Sequence, residues 1–410
     1  MEALIQTPSK ALLIGVRYPA SSRFDAEESL KELVALVSSL QMQASHTLLV
    51  PLKIPTARYL VGTGKAMEIR DLVAKEGIDL IVFDESLSPS QQRNWEELTD
   101  TCVIDRQEVI LEIFADRART REAHLQVELA RMEYSLPRLT RKWTNLSQQR
   151  GGARGTRGAG ETQLELDRRK VLRRIQKCKR ELRLVEEQRM VQRSRRVKSE
   201  IPMGSIVGYT NAGKSSLLRF LTHAEVLVED KLFATLDPTT RKLRLPNGAG
   251  EVLLSDTVGF IRKIPPQLIA AFKATLEETV LSDFILHVLD VSTPGIHQRA
   301  ATSRSVLREI GAGHKPVITV LNKVDLLENR SELPHLASDF PHAILLSTKT
   351  GEGKEDLLDA LSTLVKQLTF RQEGQLLIPI GLKRTFSSPG AEQLEAGDEV
   401  PPWLSNPYRG

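Results

Sequence analysis

Gly208-Tyr-Thr-Asn-Ala-Gly-Lys-Ser215 is the stretch from which the rest of this chain is read. It follows the apolar run Ser205-Ile-Val207 and fits G-x-x-x-x-G-K-[ST], a glycine-rich loop between a strand and a helix. Backbone N–H groups in such a loop wrap around phosphate oxygens, so Gly208 and Gly213 stand where a Cβ would block the approach. Lys214 brings a point charge to β- and γ-phosphates, and the Ser215 hydroxyl suits Mg²⁺. A helix starting near Lys214 turns its N-terminus toward the anion. The loop alone says that a nucleoside triphosphate is bound, not which one.

Three further stretches choose the base. Asp256-Thr-Val-Gly259 follows Val252-Leu-Leu254, as a D-x-x-G element does after a core strand. Asp256 would reach Mg²⁺ through water, and the Gly259 N–H would meet the γ-phosphate. Asn322-Lys-Val-Asp325 follows Pro316-Val-Ile-Thr-Val-Leu321. Its aspartate can accept from both N1 and N2 of guanine, a pattern adenine lacks, and an unpaired carboxylate would reject the wrong base. Ser347-Thr-Lys349 follows Ala343-Ile-Leu-Leu346 and would close over the guanine O6. One such element could be a strand running into an ordinary turn. Four in this order, each after an apolar run, specify a GTPase domain.

Between the first two motifs lies Phe233-Ala-Thr-Leu-Asp237, a switch segment that must supply a threonine to Mg²⁺; Thr235, Thr239 and Thr240 compete for that role. The expected GTP site thus comprises Gly208, Tyr209, Thr210, Asn211, Ala212, Gly213, Lys214 and Ser215, then Phe233, Ala234, Thr235, Leu236 and Asp237. Asp256, Thr257, Val258 and Gly259 follow, with Asn322, Lys323, Val324, Asp325, Ser347, Thr348 and Lys349 around the base. Lys214 and Gly259 are the expected catalytic contacts, together with the switch threonine. Phe260 stands where many small GTPases place the glutamine that orients water, and it cannot do that by hydrogen bonding. Asn211 has two readings: a ligand to potassium beside the nucleotide, or a brace on the switch backbone. Arg241 and Arg262 are open candidates for charge in cis at the phosphates.

Composition bounds the rest. A chain of 410 residues has room for two or three domains. No apolar stretch approaches the ~20 residues that span a bilayer, and the start lacks a charged-then-apolar leader. Cys102 and Cys178 have no metal-ligand spacing and suggest a reducing compartment. A cytoplasmic monomer is expected. The net charge of +5 hides an asymmetry: Arg138 to Lys198 holds twenty Lys/Arg against six Asp/Glu, +14, which leaves −9 for the remainder. Such a confined basic segment suits a polyanion.

Ahead of the GTPase motifs, strands are expected at 11–16, 47–50, 80–83 and 102–104. Helical spacing from Phe24 to Leu40, from Lys65 to Lys75 and after Ser88-Pro89 alternates with them, so a small parallel α/β domain is expected. Gly62-Thr-Gly-Lys65 has half the look of a phosphate loop and reads better as a tight strand-to-helix turn. From about Gln107 to Leu136 one long helix is expected, with Ala118, Leu125, Leu129, Met132 and Leu136 on one stripe. Val171, Ile175, Cys178, Leu182 and Val185 step by a heptad seam, so the two helices should pair antiparallel. Their connection, residues 145–161, places Arg150, Arg154 and Arg157 among five glycines. Guanidinium groups on so adaptable a backbone suit RNA.

These pieces together resemble the HflX family of ribosome-associated translational GTPases. The resemblance lies in Gly155-Thr-Arg-Gly-Ala-Gly-Glu-Thr-Gln-Leu164 with Asp167-Arg-Arg169, in Phe233 to Asp237, and in Phe272-Lys-Ala-Thr-Leu-Glu-Glu-Thr279. Tyr59-Leu-Val-Gly-Thr-Gly-Lys65 and Asp105-Arg-Gln-Glu-Val-Ile-Leu111 are similar to that family too. It covers roughly residues 10–370 and implies that Thr235 is the switch threonine, both Mg²⁺ ligand and catalytic contact. It also implies binding to rRNA of the large ribosomal subunit, and action on stalled or idle ribosomes. Thr348 departs from the alanine common in the guanine loop.

The expected fold class is α/β: a P-loop GTPase domain at 202–370, preceded by a small α/β domain at 1–106 and an antiparallel helical hairpin at 107–198. A tail at 371–410 has the composition of disorder. Two other classes share the guanine motifs. A ribosome-assembly or tRNA-modification GTPase would travel with immature particles or tRNA, and a membrane-linked regulator would need an anchor that this sequence does not show.

Overall fold

The computed structural model describes residues 10–20, 22–139, 157–196, 201–223, 233, 235–263, 276–327, 331, 333–340 and 342–372. The chain divides into two compact units: Met1–Gln192 with Lys231–Phe233 and Arg262–Phe272, and Arg193–Asp230 with Ala234–Ile261 and Lys273–Gly410.

The first unit alternates strand and helix: β1 Lys10–Arg17, α1 Arg23–Ser39, β2 Gln43–Pro51, α2 Thr63–Glu76, β3 Leu80–Phe83, α3 Pro89–Thr99 and β4 Cys102–Asp105. The sheet is wholly parallel, in the order β2-β1-β3-β4. Parallel strands are covered on both faces, which is why they read as unbroken apolar runs. Leu12, Ile14, Ile81, Phe83 and Val103 enter one core with Trp95. The Trp95 indole stays polar-satisfied there by donating to the Tyr59 carbonyl at 2.9 Å. Ser88 and Gln91 form a reciprocal capping box with Pro89 in the first turn, so α3 starts where the sequence says. Gly62 precedes α2 as its N-cap, and Lys65 pairs with Glu68 on the surface, as a turn requires and a phosphate loop does not.

Beyond β4 the expected single helix is two, α4 Arg106–Arg117 and α5 Arg121–Ser135. Ala118 is extended, and the Thr120 hydroxyl accepts from the Ala123 N–H as the cap of a new helix. A local side-chain cap here outcompetes helix continuation. The buried face also differs from the expected stripe. Ala118 and Leu125 of that stripe are buried, but Leu129, Met132 and Leu136 are only half-buried, and Ala123, Val127, Ala130 and Tyr134 are buried instead. This rotation delivers the Tyr134 hydroxyl to the Asp105 carboxylate at 3.0 Å.

A short 3-10 turn, Leu136–Arg138, follows α5. Arg138 does not join the basic face: it donates to the Leu87 carbonyl, the Tyr134 carbonyl and Gln92 Oε1, at 2.7, 3.0 and 2.9 Å. Its guanidinium also lies 3.7 Å from the Tyr134 ring centroid.

α6, Arg157–Arg196, is the second arm. Ile175 and Cys178 of its seam are buried and Val171, Leu182 and Val185 half-buried. Arg174 and Lys179 reach Glu128 and Glu133 of α5 at 2.6 and 2.8 Å. Arg150, Arg154 and most of the connecting loop lie outside the described residues, as do Ala234 and the tail beyond Gln372; the Arg157 side chain is likewise outside them.

The second unit runs β5 Met203–Gly208, α7 Lys214–Thr222, β6 Thr239–Arg244, β7 Glu251–Asp256, β8 Phe284–Asp290, α8 Ile296–Glu309, β9 Val317–Asn322, α9 Leu333–Asp339, β10 Ile344–Leu346 and α10 Lys354–Gln372. Strand order is β10-β9-β8-β5-β7-β6, with β6 antiparallel to β7 and the other neighbours parallel. The parallel strands end at one edge of the sheet, where ligands of open α/β folds bind. β5, β7, β9 and β10 run into the four motifs there.

His287 sits in the middle of β8, fully buried, with neither ring nitrogen bonded. Burial, helped by Arg304, pulls its pKa from 6.5 to about 3. The folded chain therefore keeps the ring neutral while the unfolded chain takes up a proton. Stability is intact above pH 6.5 and falls by roughly 1.4 kcal/mol for each pH unit below it, levelling near pH 3. Urea unfolding at pH 7.5 and pH 5 should show a smaller pH difference for His287→Leu than for wild type. Equal differences would show that another group sets the acid limb.

Candidate functional site

The phosphate loop is shaped by steric demands from both sides. A Cβ on Gly208 would lie 2.2 Å from the Val288 carbonyl oxygen, and one on Gly213 would lie 2.3 Å from Asn322 Nδ2. Gly213 also has φ +92°, which L side chains rarely adopt. The sequence supplies a reason facing the phosphates; the fold supplies a second, because β8 and the guanine loop press against the same two residues.

Lys214 is buried, and its ammonium donates to the Tyr209 carbonyl at 2.9 Å. Burial lowers its pKa to about 8, against an opposing pull from Asp256. A triphosphate at this place would favour the charged form. The D-x-x-G segment rests directly on the loop: the Phe260 N–H donates to the Gly208 carbonyl at 3.0 Å, and the Thr210 N–H to the Phe260 carbonyl at 2.7 Å. A Cβ on Gly259 would come within 2.8 Å of Lys214 Nζ and of the Thr210 Cα. Glycine is therefore the residue that lets this backbone approach the lysine.

Three expected Mg²⁺ ligands converge. Ser215 Oγ and Thr235 Oγ1 both donate to Asp256 Oδ2, at 2.6 and 2.9 Å, and the two hydroxyls are 2.8 Å apart. Asp256 is fully buried, and its Oδ1 has no hydrogen-bond partner. Burial raises its pKa, with Lys214 and the two hydroxyls acting the other way. A buried carboxylate oxygen without a donor, beside two hydroxyls, fits a hard divalent cation. Of the competing threonines, Thr240 instead pairs with Ser255 at 2.7 Å on the neighbouring strand.

The base-recognition loops are tied to the phosphate loop by Asn322. Its Nδ2 donates to the Ala212 carbonyl at 2.9 Å, and its Oδ1 accepts from the Thr348 N–H at 3.3 Å. Ser347 Oγ donates to Asp325 Oδ1 at 2.6 Å and accepts from the Lys349 and Thr350 N–H groups. This fixes the carboxylate expected to read guanine. Lys323, at φ 66°, reaches Asp290 Oδ2 at 2.8 Å. Asp290 escapes the sequence reading, although it ends a largely apolar strand as the motif residues do.

Several expected contact residues turn their side chains into the protein. Tyr209 lies beneath the Arg299 guanidinium, 5.1 Å from ring to Cζ, and Thr257 Oγ1 donates to the Ile206 carbonyl at 2.7 Å. Leu236, Val258 and Val324 are buried, and Phe233 meets Phe114 edge-on at 4.6 Å. These residues could serve a nucleotide only through their backbone. Asn211 is exposed at φ 61°. Arg241 Nη1 turns back to the Thr240 carbonyl, and Arg262 Nη1 to the Asp25 carbonyl.

The chain is similar in sequence to known GTPases. A family model described as "GTP-binding GTPase N-terminal" matches residues 27–115, and "GTP-binding GTPase Middle Region" matches 117–196. A third, "50S ribosome-binding GTPase", matches 204–323. The GTPase HflX of Akkermansia muciniphila is 49% identical over 383 residues, covering 90% of this chain and 86% of that protein. The Escherichia coli GTPase HflX is 45% identical over 357 residues, 85% and 83% of the two chains. A solved GTP-binding protein from Sulfolobus solfataricus in complex with GDP is 28% identical over 88% of this chain and 99% of its own, with a TM-score of 0.44. With identity near one half across nine-tenths of its length, and the four guanine-nucleotide motifs gathered at one sheet edge, the chain belongs to the HflX family of GTPases.

Proposed function

We propose that this GTPase binds the large ribosomal subunit through rRNA, hydrolyses GTP faster when bound, and acts on stalled or idle ribosomes in the cytoplasm. The observation that carries the reading is the division of charge on α6. Arg174 and Lys179 are spent on Glu128 and Glu133, whereas Arg168, Arg173, Arg180 and Arg183 are exposed and in no ion pair with a described residue. Exposed guanidinium groups with no acidic partner among the described residues, set along a long helix, suit a phosphate backbone. The description of the family model that matches residues 204–323 supports the same partner. Among the described residues no helix is long and apolar enough to cross a membrane.

In the nucleotide site, Ser215, Thr235 and Asp256 would hold Mg²⁺, which supplies positive charge to the phosphoryl oxygens. Lys214 would bring its charge to the β- and γ-phosphates, and the Gly259 N–H would donate to the γ-phosphate. Asn322 would hold the phosphate and guanine loops in one register, while Asp325 accepts from the base.

The test is sedimentation through sucrose gradients with a non-hydrolysable GTP analogue. Wild type should travel with mature large subunits, and Arg150, Arg154 and Arg157 replaced together by alanine should weaken that binding with unchanged nucleotide affinity. Because each phosphate contact releases counterions, wild-type binding should also fall more steeply with salt than that of the triple variant. Equal binding by both across the salt series would refute the loop assignment. Co-migration with tRNA or immature particles alone would replace the ribosome reading.

A further inference from the structure

Asp290 ends β8 in register with Asn322 at the end of β9, and the Val291 N–H donates to the Asn322 carbonyl at 3.1 Å. The Asp290 carboxylate is fixed by its own neighbours. Its Oδ1 accepts from the Ser292 N–H at 2.9 Å and from the Ser292 hydroxyl at 2.6 Å, the local turn that aspartate makes with the backbone two residues on. The Thr293 hydroxyl donates to the Asp290 carbonyl at 3.1 Å and secures the same turn. Oδ2 is left for the loop that follows β9, and the Lys323 ammonium takes it at 2.8 Å. The lysine side chain is 24% exposed and the aspartate 7%, so solvent screens this pair less than one on the surface.

Lys323 has φ 66° and ψ 35°, the left-handed conformation that is costly for a residue with a Cβ and that glycine would take freely. A lysine keeps it only where the surroundings over-determine it. On one side stands Asn322, its amide bonded to the Ala212 carbonyl and the Thr348 N–H. On the other is the 3-10 turn Val324–Leu326, where the Leu326 N–H closes on the Lys323 carbonyl at 3.0 Å. The Asp290 carboxylate adds a tether on the side chain. Asp325 is the middle residue of that turn. All of these residues belong to the second unit.

We propose that Asp290 is a positioning residue for guanine recognition: through Lys323 it holds the 322–325 loop in the conformation that presents the Asp325 carboxylate to the base. Without the ion pair, that conformation is a smaller fraction of the population. Guanine meets the carboxylate through two donors and hypoxanthine through N1–H alone, so loosening the loop costs guanosine nucleotides more than inosine nucleotides. GTP and GDP share the base and lose alike. Chemistry at the γ-phosphate is unaffected once the site is full.

The inference rests on Asp325 being the guanine acceptor, and the test separates the two. Equilibrium binding of GDP and inosine diphosphate to the full chain, with no ribosomes present, measures the preference. Wild type should favour GDP by about 10-fold or more, as a hydrogen bond to a charged group gives. Asp290→Asn keeps the acceptor for Ser292 and removes the charge that meets Lys323. It should bind GDP about 3- to 10-fold more weakly, narrow the preference by about 3-fold or more, and keep kcat at saturating GTP within about twofold. Lys323→Met should shift both quantities in the same direction. Adding Asp290→Asn to it should lower GDP affinity no further, because the two residues act through one contact. A merely weakened fold would lower both affinities by one factor, and a preference undiminished in Asp290→Asn overturns the inference. So does a double variant whose loss is the product of the two single losses. A wild-type protein that binds the two diphosphates equally removes the Asp325 reading, and this inference with it.

Discussion

An Asp325→Asn protein should bind xanthosine triphosphate in preference to GTP. Ser347 Oγ, 2.6 Å from Asp325 Oδ1, fixes the carboxylate by a charge-assisted bond, and Ser347 is itself held by two backbone N–H groups. Guanine offers two donors, N1–H and the N2 amino group, to the two carboxylate oxygens. An amide brings one acceptor and one donor, so one guanine donor would meet another donor in a desolvated site. Xanthine carries an oxygen where guanine carries N2, and that oxygen accepts from the amide instead. Sites built on buried hydrogen bonds discriminate by about 10⁴–10⁵. GTP affinity should therefore fall by about 10³ or more, with xanthosine triphosphate affinity rising past it. Titration with GTP, ATP and xanthosine triphosphate reads the outcome. An Asp325→Asn protein that still prefers GTP would show that another group reads the base.

The second large effect is on rate. Free protein should hydrolyse GTP slowly, and large ribosomal subunits should raise kcat by about 10²-fold or more, since completing a GTPase site is worth about 10³–10⁵ elsewhere. Phe260 cannot orient water, and its side chain is buried while its backbone pairs with the phosphate loop. The two arginines open as charge donors in cis are both directed to backbone carbonyls, of Thr240 and of Asp25. Phe260→Gln should bring no gain in basal rate and should destabilise the fold by about 1–3 kcal/mol, because the amide would be buried without partners. A free protein turning over as fast as the subunit-bound one would falsify the expectation. The same assay in matched KCl and NaCl, with Asn211→Ala beside wild type, decides whether Asn211 serves potassium. Equal wild-type rates in the two salts would remove that role.

What the sequence alone determined was the order of the motifs and the kind of structure around each. A strand ending in a glycine turn, a Ser88-Pro89 helix start and a phosphate loop before Lys214 all follow from backbone rules that act over three or four residues. Those rules do not need to know what lies across the fold. For the same reason Gly62-Thr-Gly-Lys65 reads correctly as a turn, since the hydroxyl and spacing of a phosphate loop are missing within the motif itself. Parallel connection then gathers the strand ends at one edge, so the meeting of the four motifs was legible from their order.

Tertiary structure decided what depends on distant partners. Thr235 is distinguished from Thr240 only by which of them reaches Asp256 and which Ser255. The break at Ala118–Thr120 and the turn of α5 onto Tyr134 answer to Asp105, a residue on β4. Arg138 leaves the basic surface because Leu87 and Gln92 offer it acceptors. Lys263 looks like an ordinary surface lysine until the fold places it against Asp84, 179 residues away in the chain. Charge and apolar pattern say that a side chain needs a partner. Which partner it finds is set by long-range packing, to which the local sequence is blind.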